Sequence, residues 1–392
     1  MKKHLGWLIR LFIALLGVGY ILYTLSWSDQ VYLPAGYEVA PGIKGGEAGQ
    51  AYRVWDESDQ AYLIGPPPDA EGKPTTREWI EIAELGTGDD QPQFKSSVFT
   101  IVKQSHVTLL ILGSLLFIPI VLLATLRWWV LMRARGIPIG LGRVGRLALA
   151  GYFFNLCMPG TTGGDVMKAY YAAKGTRQRA DAVVSIGIDR LCGLVGLALL
   201  VGIIGLFSLH DPMIRKLTIV MWWGLLAFIA AAWLYTSPAL RSRVRLGAKL
   251  GKLPGANMLR KMDAWVSAYR HHVGALLTAI GLSLVIHLLL ASAMVLAGFA
   301  LGIEQPWLYL LTTIPIVFVL WSLPVSGPLG LGPLDYVAVQ LIVGSSETTA
   351  QQALMMFVAY RLYLVAVGLI GSLAMLGLGG KPSEENNGNE SP

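Results

Sequence analysis

The sequence predicts an all-α polytopic membrane protein: about six full spans, two re-entrant helical hairpins in an inverted-repeat arrangement, and a small extracytoplasmic insert. Three observations carry this prediction. Of 392 residues, 54% are hydrophobic and only 14% are charged, with a mean hydropathy of +0.56. Such a composition belongs to helical membrane proteins. The basic residues cluster in short loops between apolar runs, as on the inner side of a membrane protein. The net charge of +7 is therefore no sign of nucleic acid. Two apolar stretches are also interrupted by glycine and proline and then followed by an acid. They are Pro159-Gly160-Thr161-Thr162-Gly163-Gly164-Asp165 and Pro324-Val325-Ser326-Gly327-Pro328-Leu329-Gly330-Leu331-Gly332-Pro333-Leu334-Asp335.

Taken in order, residues 1–27 form a first span. Lys2, Lys3 and Arg10 precede an apolar run from Leu11 to Trp27. The large Leu22, Tyr23 and Leu25 leave no small-residue cleavage site, so an uncleaved helix is expected, with its N-terminus cytoplasmic. Residues 28–106 differ in kind: they carry 13 Asp/Glu against 6 Lys/Arg. Short β-like runs, Val31 to Leu33, Ala51 to Trp55 and Ala61 to Ile64, alternate with turn signals such as Pro66-Pro67-Pro68. This is an extracytoplasmic, β-rich insert. Without a cysteine to staple it, it is expected to lean on the membrane domain.

Residues 107–378 form the membrane domain. Val107 to Leu131 is the second span, and Arg127-Trp128-Trp129 reads as its interfacial anchor. Leu147 to Met158 is apolar but covers only about 18 Å as a helix, too little for a ~30 Å hydrocarbon core. Basic residues flank it on both sides, so the chain is expected to enter and return, with the first hairpin near 147–173. Ala182 to Leu209, Leu217 to Thr236, Val273 to Leu301 and Ala353 to Leu378 are further spans. The cluster Arg241 to Lys261 marks a cytoplasmic loop. Leu308 to Val343 makes the second hairpin, flanked by Glu304 and Glu347 and entering from outside. Residues 379–392 are a polar cytoplasmic tail. Cys157 and Cys192 both fall in apolar segments, so neither a disulfide nor a zinc site is expected, and no cofactor is implied.

The two broken stretches repeat one pattern. Asp165 precedes Arg190 by 25 residues and Asp335 precedes Arg361 by 26. Each arginine lies eight residues after an alanine that opens its span. Paired Gly/Pro-interrupted segments in oppositely oriented halves point to a transport site near the bilayer midplane. An arginine at that depth is costly unless paired or solvated, and Asp165, Asp189 and Asp335 are the acids at hand. A planar guanidinium also matches phosphate bidentately. The expected substrate site is Asp165, Lys168, Asp189, Arg190, Asp335 and Arg361, carried by hairpin backbone at Pro159, Gly160, Gly163, Gly164, Pro328, Gly330 and Gly332, with both arginines converging on one anionic head group. No catalytic residue and no metal ligand is expected.

Pro159-Gly160-x-x-Gly163-Gly164-Asp165, Asp189-Arg190, Gly330-Leu331-Gly332-x-x-Asp335 and Arg361 resemble the lysylphosphatidylglycerol synthase transmembrane region, the flippase-like domain family of integral membrane proteins. The resemblance covers residues 107 to 378 and the first span. It implies a plasma (inner) membrane protein of bacterial or archaeal type that translocates lipid, with a membrane lipid as substrate and any lipid-modifying enzyme supplied by a separate chain. The chain runs only about 14 residues past its last span, so the family's soluble aminoacyl-transferase domain is not expected. Thr161, Lys168, Leu329 and Asp335 depart from the family pattern, which bears on which lipid is taken.

Plainer readings stand beside these. The stretch from Pro159 to Gly164 also suits an ordinary loop, and Asp165 a helix cap. Asp189 and Arg190 suit a structural ion pair, and Arg361 a snorkelling side chain. His287, alone in an apolar run, reads as a hydrogen-bonded packing residue. Two rival functions are an accessory subunit of an envelope-lipid pathway and a membrane glycosyltransferase that uses a polyprenyl-phosphate sugar. The second rests on Glu57-Ser58-Asp59 in the outer insert.

Overall fold

The computed structural model describes residues 26–45, 50–58, 60–66, 77–85, 91–157, 163–174, 176, 178–236, 268–269, 271–322, 334–344 and 348–375. The first span up to residue 25, the basic cluster at 241–261, Pro159, Gly160, Pro328, Gly330, Gly332 and the tail lie outside them.

The insert opens the described chain. Five short strands form an antiparallel sheet in the order β6 (Glu78–Glu81), β5 (Ala61–Gly65), β4 (Gln50–Glu57), β1 (Gln30–Leu33) and β7 (Gln93–Lys95). A separate hairpin of β2 (Glu38–Ala40) and β3 (Ile43–Lys44) stands beside it. Alternation puts Val31, Leu33, Tyr52, Ile64 and Ile80 on one face, where they form a small buried core with Ile43. The sheet stands on a short helix, α1 (Val98–Gln104), whose cap Ser97 accepts from the Thr100 amide. Asp29 ties the two ends of the insert together. Its carboxylate accepts from the Ser97 amide and, at 2.7 Å, from the Thr100 hydroxyl.

The rest is helical. α2 (Val107–Leu115) and α3 (Phe117–Ala134) run on as one apolar unit of 28 residues. They are followed by α4 (Leu141–Cys157), α5 (Gly163–Lys174), α6 (Arg179–Gly205), α7 (Pro212–Thr236), α8 (Val273–Ala300), α9 (Trp307–Ser322), α10 (Leu334–Val343) and α11 (Ala350–Met375). Among the described residues five helical units are long and apolar enough to cross a membrane, at the five places where hydropathy put the second and later spans.

Hydrogen bonds define the two ends of the bundle. At one end the His106 amide donates to Ala300, Gln305 donates to Ile342 and Val343, Gln352 donates to Gly302, and Ser26 and Gln351 bond each other. The insert is attached here. At the other end Arg135 binds Asp181 and the Ala268 carbonyl, Tyr269 donates to Leu131, and Trp129 donates to Ile139. Arg133, Arg143, Lys174 and Arg179 flank these contacts. The outer ends of α4 and α5 lie at this basic end, whereas those of α9 and α10 lie at the insert end.

α4 and α5 pack against each other antiparallel. Asn155 accepts from the Gly164 amide at 2.8 Å, and further out Gly151 faces the Lys168 stem. A Cβ on Gly164 would sit 2.1 Å from the Gly151 carbonyl oxygen, so the two backbones touch at this point. α9 and α10 do likewise, with Tyr309 donating to Leu341 at 2.8 Å. α4 was expected to begin at Leu147. It begins six residues earlier, so its helix carries Arg143 and Arg146 into the basic end. At 17 residues it is about 25 Å long.

Candidate functional site

Asp165 stands in the first turn of α5 and Asp335 in the first turn of α10. An acid there accepts free helix amides and meets the positive end of the macrodipole. Gly163 and Gly164 belong to the same first turn of α5, buried against α4.

The structure brings Asp165 together with Arg190, whose Nε donates to the Asp165 carboxylate. It brings Asp335 together with Arg361 at 2.6 Å. Arg190 lies eleven residues into α6 and Arg361 eleven residues into α11. The two helices start from opposite ends of the bundle, so each arginine is about 16 Å along its helix. These depths meet near the middle of a ~30 Å layer.

Around Arg190 the charge is layered. Lys168 reaches Asp165 at 4.0 Å, one turn along α5. Its ammonium also lies over the rings of Trp128 and Tyr152, at 5.7 and 5.8 Å, an arrangement that stabilises a cation away from water. Asp189 does not pair with Arg190. Consecutive residues on a helix point about 100° apart, and Asp189 turns to α3, where Arg127 binds it through Nε at 2.7 Å and Nη2 at 3.1 Å. Nη1 of Arg127 donates to Ser283 on α8 at 2.8 Å.

Arg127 is therefore not the interfacial anchor that its Trp-Trp neighbours suggested. The helix continues to Ala134, which leaves Arg127 two turns inside. Its bidentate fork to a carboxylate on another span is a buried tie. The signal that could have found it is the pairing of one arginine in the second span with one extra acid in the third. His287 bonds the Ser283 carbonyl at 2.7 Å, the packing role expected of it.

The second pair has different surroundings. Arg361 points inward, with 7% of its side chain exposed, and Asp335 has 1%. The guanidinium lies 5.1 Å over the Trp321 ring. Trp321 stacks on Tyr360 at 5.6 Å and meets Phe357 edge-on at 5.1 Å. By contrast 47% of the Arg190 side chain is exposed. Each cluster has a tyrosine against it: Tyr152, whose ring lies 5.8 Å from the Lys168 ammonium, and Tyr360, stacked on Trp321. Trp321, Tyr152 and Tyr360 were not singled out from the sequence, where aromatics in apolar runs carry no distinguishing mark.

In chemical terms, among the described residues three cations (Arg127, Lys168 and Arg190) stand beside two carboxylates (Asp165 and Asp189). The cluster has an excess of positive charge inside an apolar bundle and one guanidinium open to the outside. That arrangement suits an anionic group. Among the described residues no cluster of three or more His, Cys, Asp or Glu side chains could hold a metal ion.

A bundle of long apolar helices with charge gathered at mid-length defines a polytopic helical membrane protein. The chain belongs to the family of the lysylphosphatidylglycerol synthase TM region, which matches residues 95–371. The match begins at the last strand of the insert and takes in both clusters. No curated protein and no solved structure matches the chain.

Proposed function

We propose that this protein moves a lipid with an anionic head group, an anionic phospholipid or a polyprenyl-phosphate-linked lipid, between the two leaflets of a plasma membrane. It does so without catalysing a reaction. The carrying observation is the Arg190–Asp165–Lys168 cluster, an open guanidinium beside a second cation at the tip of a helix pair halfway down the bundle. Desolvating a phosphate in hydrocarbon is very costly. Arg190 and Lys168 replace its water, and the start of α5 adds its dipole. The acyl or prenyl chains stay in the bilayer.

In this reading α4–α5 and α9–α10 are re-entrant hairpins in the two halves of an inverted repeat, which rock against each other to alternate access. The opposite ends from which the pairs open, and the equal depth of Arg190 and Arg361, support it. The insert would then be extracytoplasmic and the basic end cytoplasmic, together with both termini. A lipid-modifying enzyme on a separate chain would supply or consume the lipid.

The test is lipid translocation in proteoliposomes, with the melting temperature recorded on the same samples. Arg190→Ala should abolish movement while the protein stays folded. Arg190→Lys should restore only part, because a compact ammonium lacks the fork. Full transport by a stable Arg190→Ala/Lys168→Ala double variant would remove this cluster from the mechanism.

A further inference from the structure

At the basic end the chain turns from α3 into α4 and leaves a cavity beside the turn. Gly136, at φ 69°, ends α3, and its amide donates to the Arg133 carbonyl at 2.9 Å. Pro138 then keeps the helix from resuming. Between this turn and the end of α5 lies a cavity of about 550 Å³. Gly136, Gly140 and Arg143 line it from the α3–α4 side, and Ala172, Thr176 and Gln178 from the α5–α6 side.

The wall is rich in donors that the protein leaves unused. α4 starts at Leu141, behind a glycine that has no side chain to cap it. The amides of Leu141 and Gly142 are the first of the helix and have no carbonyl one turn earlier. Gly140 and Arg143, on either side of them, both line the cavity. A Cβ on Gly136, Gly140 or Gly142 would meet nothing within 4 Å, so the approach is open. Arg143 is exposed. Neither it nor its neighbours Arg146, Lys174 and Arg179 have an ion-pair partner among the described residues. Asp181, an acid at this end, is taken up by Arg135 at 2.7 Å. An unpaired guanidinium beside free helix amides suits a phosphate.

The cavity leads toward the Arg190 cluster. Along α5, Ala172 stands seven residues from Asp165, about 10 Å, with Lys168 between them. Over the same length α5 shows an apolar side to the outside. Val166 and Tyr170, one turn apart on one face, are 62% and 57% exposed. Cations within and apolar side chains without divide the surroundings as a lipid requires, with its phosphate on the protein and its chains in the bilayer.

We infer that this cavity binds the phosphate ester of an anionic lipid, as a station that the head group occupies at the basic mouth of the α4–α5 pair on its way to or from Arg190. The lipid as the source rests on the transport reading above, and the phosphate chemistry stands without it. Arg143 supplies the guanidinium and the start of α4 supplies amides and its dipole. The Thr176 hydroxyl and the Gln178 amide are there for the polar remainder of the head group.

Hydrogen exchange of the full-length protein in a neutral detergent tests it, with dioctanoyl phosphatidylglycerol as the probe, because the readout does not depend on translocation. Amides of residues 140–144 and 176–178 should gain protection that saturates. In Arg143→Gln the half-saturating concentration should rise about tenfold, the worth of one charge-assisted hydrogen bond, with lipid-free exchange across α3 and α8 unchanged as a control for folding. In Arg190→Ala the protection should persist, whether or not that variant transports, so the cavity and the transport reading fail separately. Absence of protection, equal protection by dioctanoyl phosphatidylcholine, an unshifted half-point in Arg143→Gln, or protection lost in Arg190→Ala would overturn the inference. Glycerol phosphate acting at the same concentration as the lipid would overturn the lipid as its source.

Discussion

Asp165–Arg190 and Asp335–Arg361 occupy matching places, an acid at the start of a short helix and an arginine eleven residues into the long helix that follows. They differ in what encloses them. Arg361 is roofed by Trp321 and closed to the outside, while nearly half of the Arg190 side chain is open. A closed pair has no room for a ligand without breaking the carboxylate contact. An open pair can turn its guanidinium to an incoming phosphate while Asp165 and Lys168 keep the local charge balanced. Under the proposed function the closed pair holds the bundle and the open one meets substrate, although their spacing in the chain is nearly the same.

The largest expected effect breaks the closed side. Arg361→Ala leaves Asp335 charged and buried, which should cost roughly 3–5 kcal/mol, whereas Asp335→Leu/Arg361→Met should recover most of that loss. Thermal melting in detergent reads both. A single variant as stable as the wild type would end the distinction between the pairs. Next comes Arg127→Ala, which strands Asp189 between α3 and α6. A loss of about 3 kcal/mol is expected, with Arg127→Lys intermediate because it gives up the bidentate fork.

Gly164→Ala sharpens the open side. Its methyl would meet the Gly151 carbonyl at 2.1 Å, so the arms of the α4–α5 pair must separate. Overpacking of this kind costs about 1–3 kcal/mol, and transport should fall with it. The smallest stability effects belong to the open pair itself. Arg190→Ala should change stability by less than about 1 kcal/mol, as for an exposed ion pair, and Asp165→Asn by less still, because asparagine caps equally well. A collapse of the melting temperature in Arg190→Ala would make that pair structural as well.

Much of the architecture was legible from hydropathy and length, because a helix in hydrocarbon must satisfy its own backbone and so announces itself as a long apolar run. The strands at Val31, Ala51 and Ala61 were legible for a related reason, their alternation of apolar and polar residues. β6 and β7 were not read, because Glu78-Trp79-Ile80-Glu81 and Gln93-Phe94-Lys95 hold too few apolar residues to show a period. The acids and arginines at mid-span stood out as costly residues in an apolar context. Their pairing did not follow in full. The partner of Asp189 is Arg127, 62 residues earlier, and the sequence neighbour Arg190 points elsewhere. Nor could the sequence tell the open arginine from the closed one. That difference comes from Trp321, which reaches Arg361 from a separate helix.

Asp29 has a consequence for how such a chain can change. By fastening the Ser97 amide and the Thr100 hydroxyl, it makes the entrance and exit of the sheet neighbours, and β1 and β7 run side by side from that clasp. A module whose two ends coincide can be lengthened, replaced or removed without moving the segments it interrupts. The sheet is in this sense a cassette. Excision of residues 30–95 with a short glycine-serine bridge would keep the connection between the flanking segments intact, so the insert could be acquired or lost without disturbing the helices below.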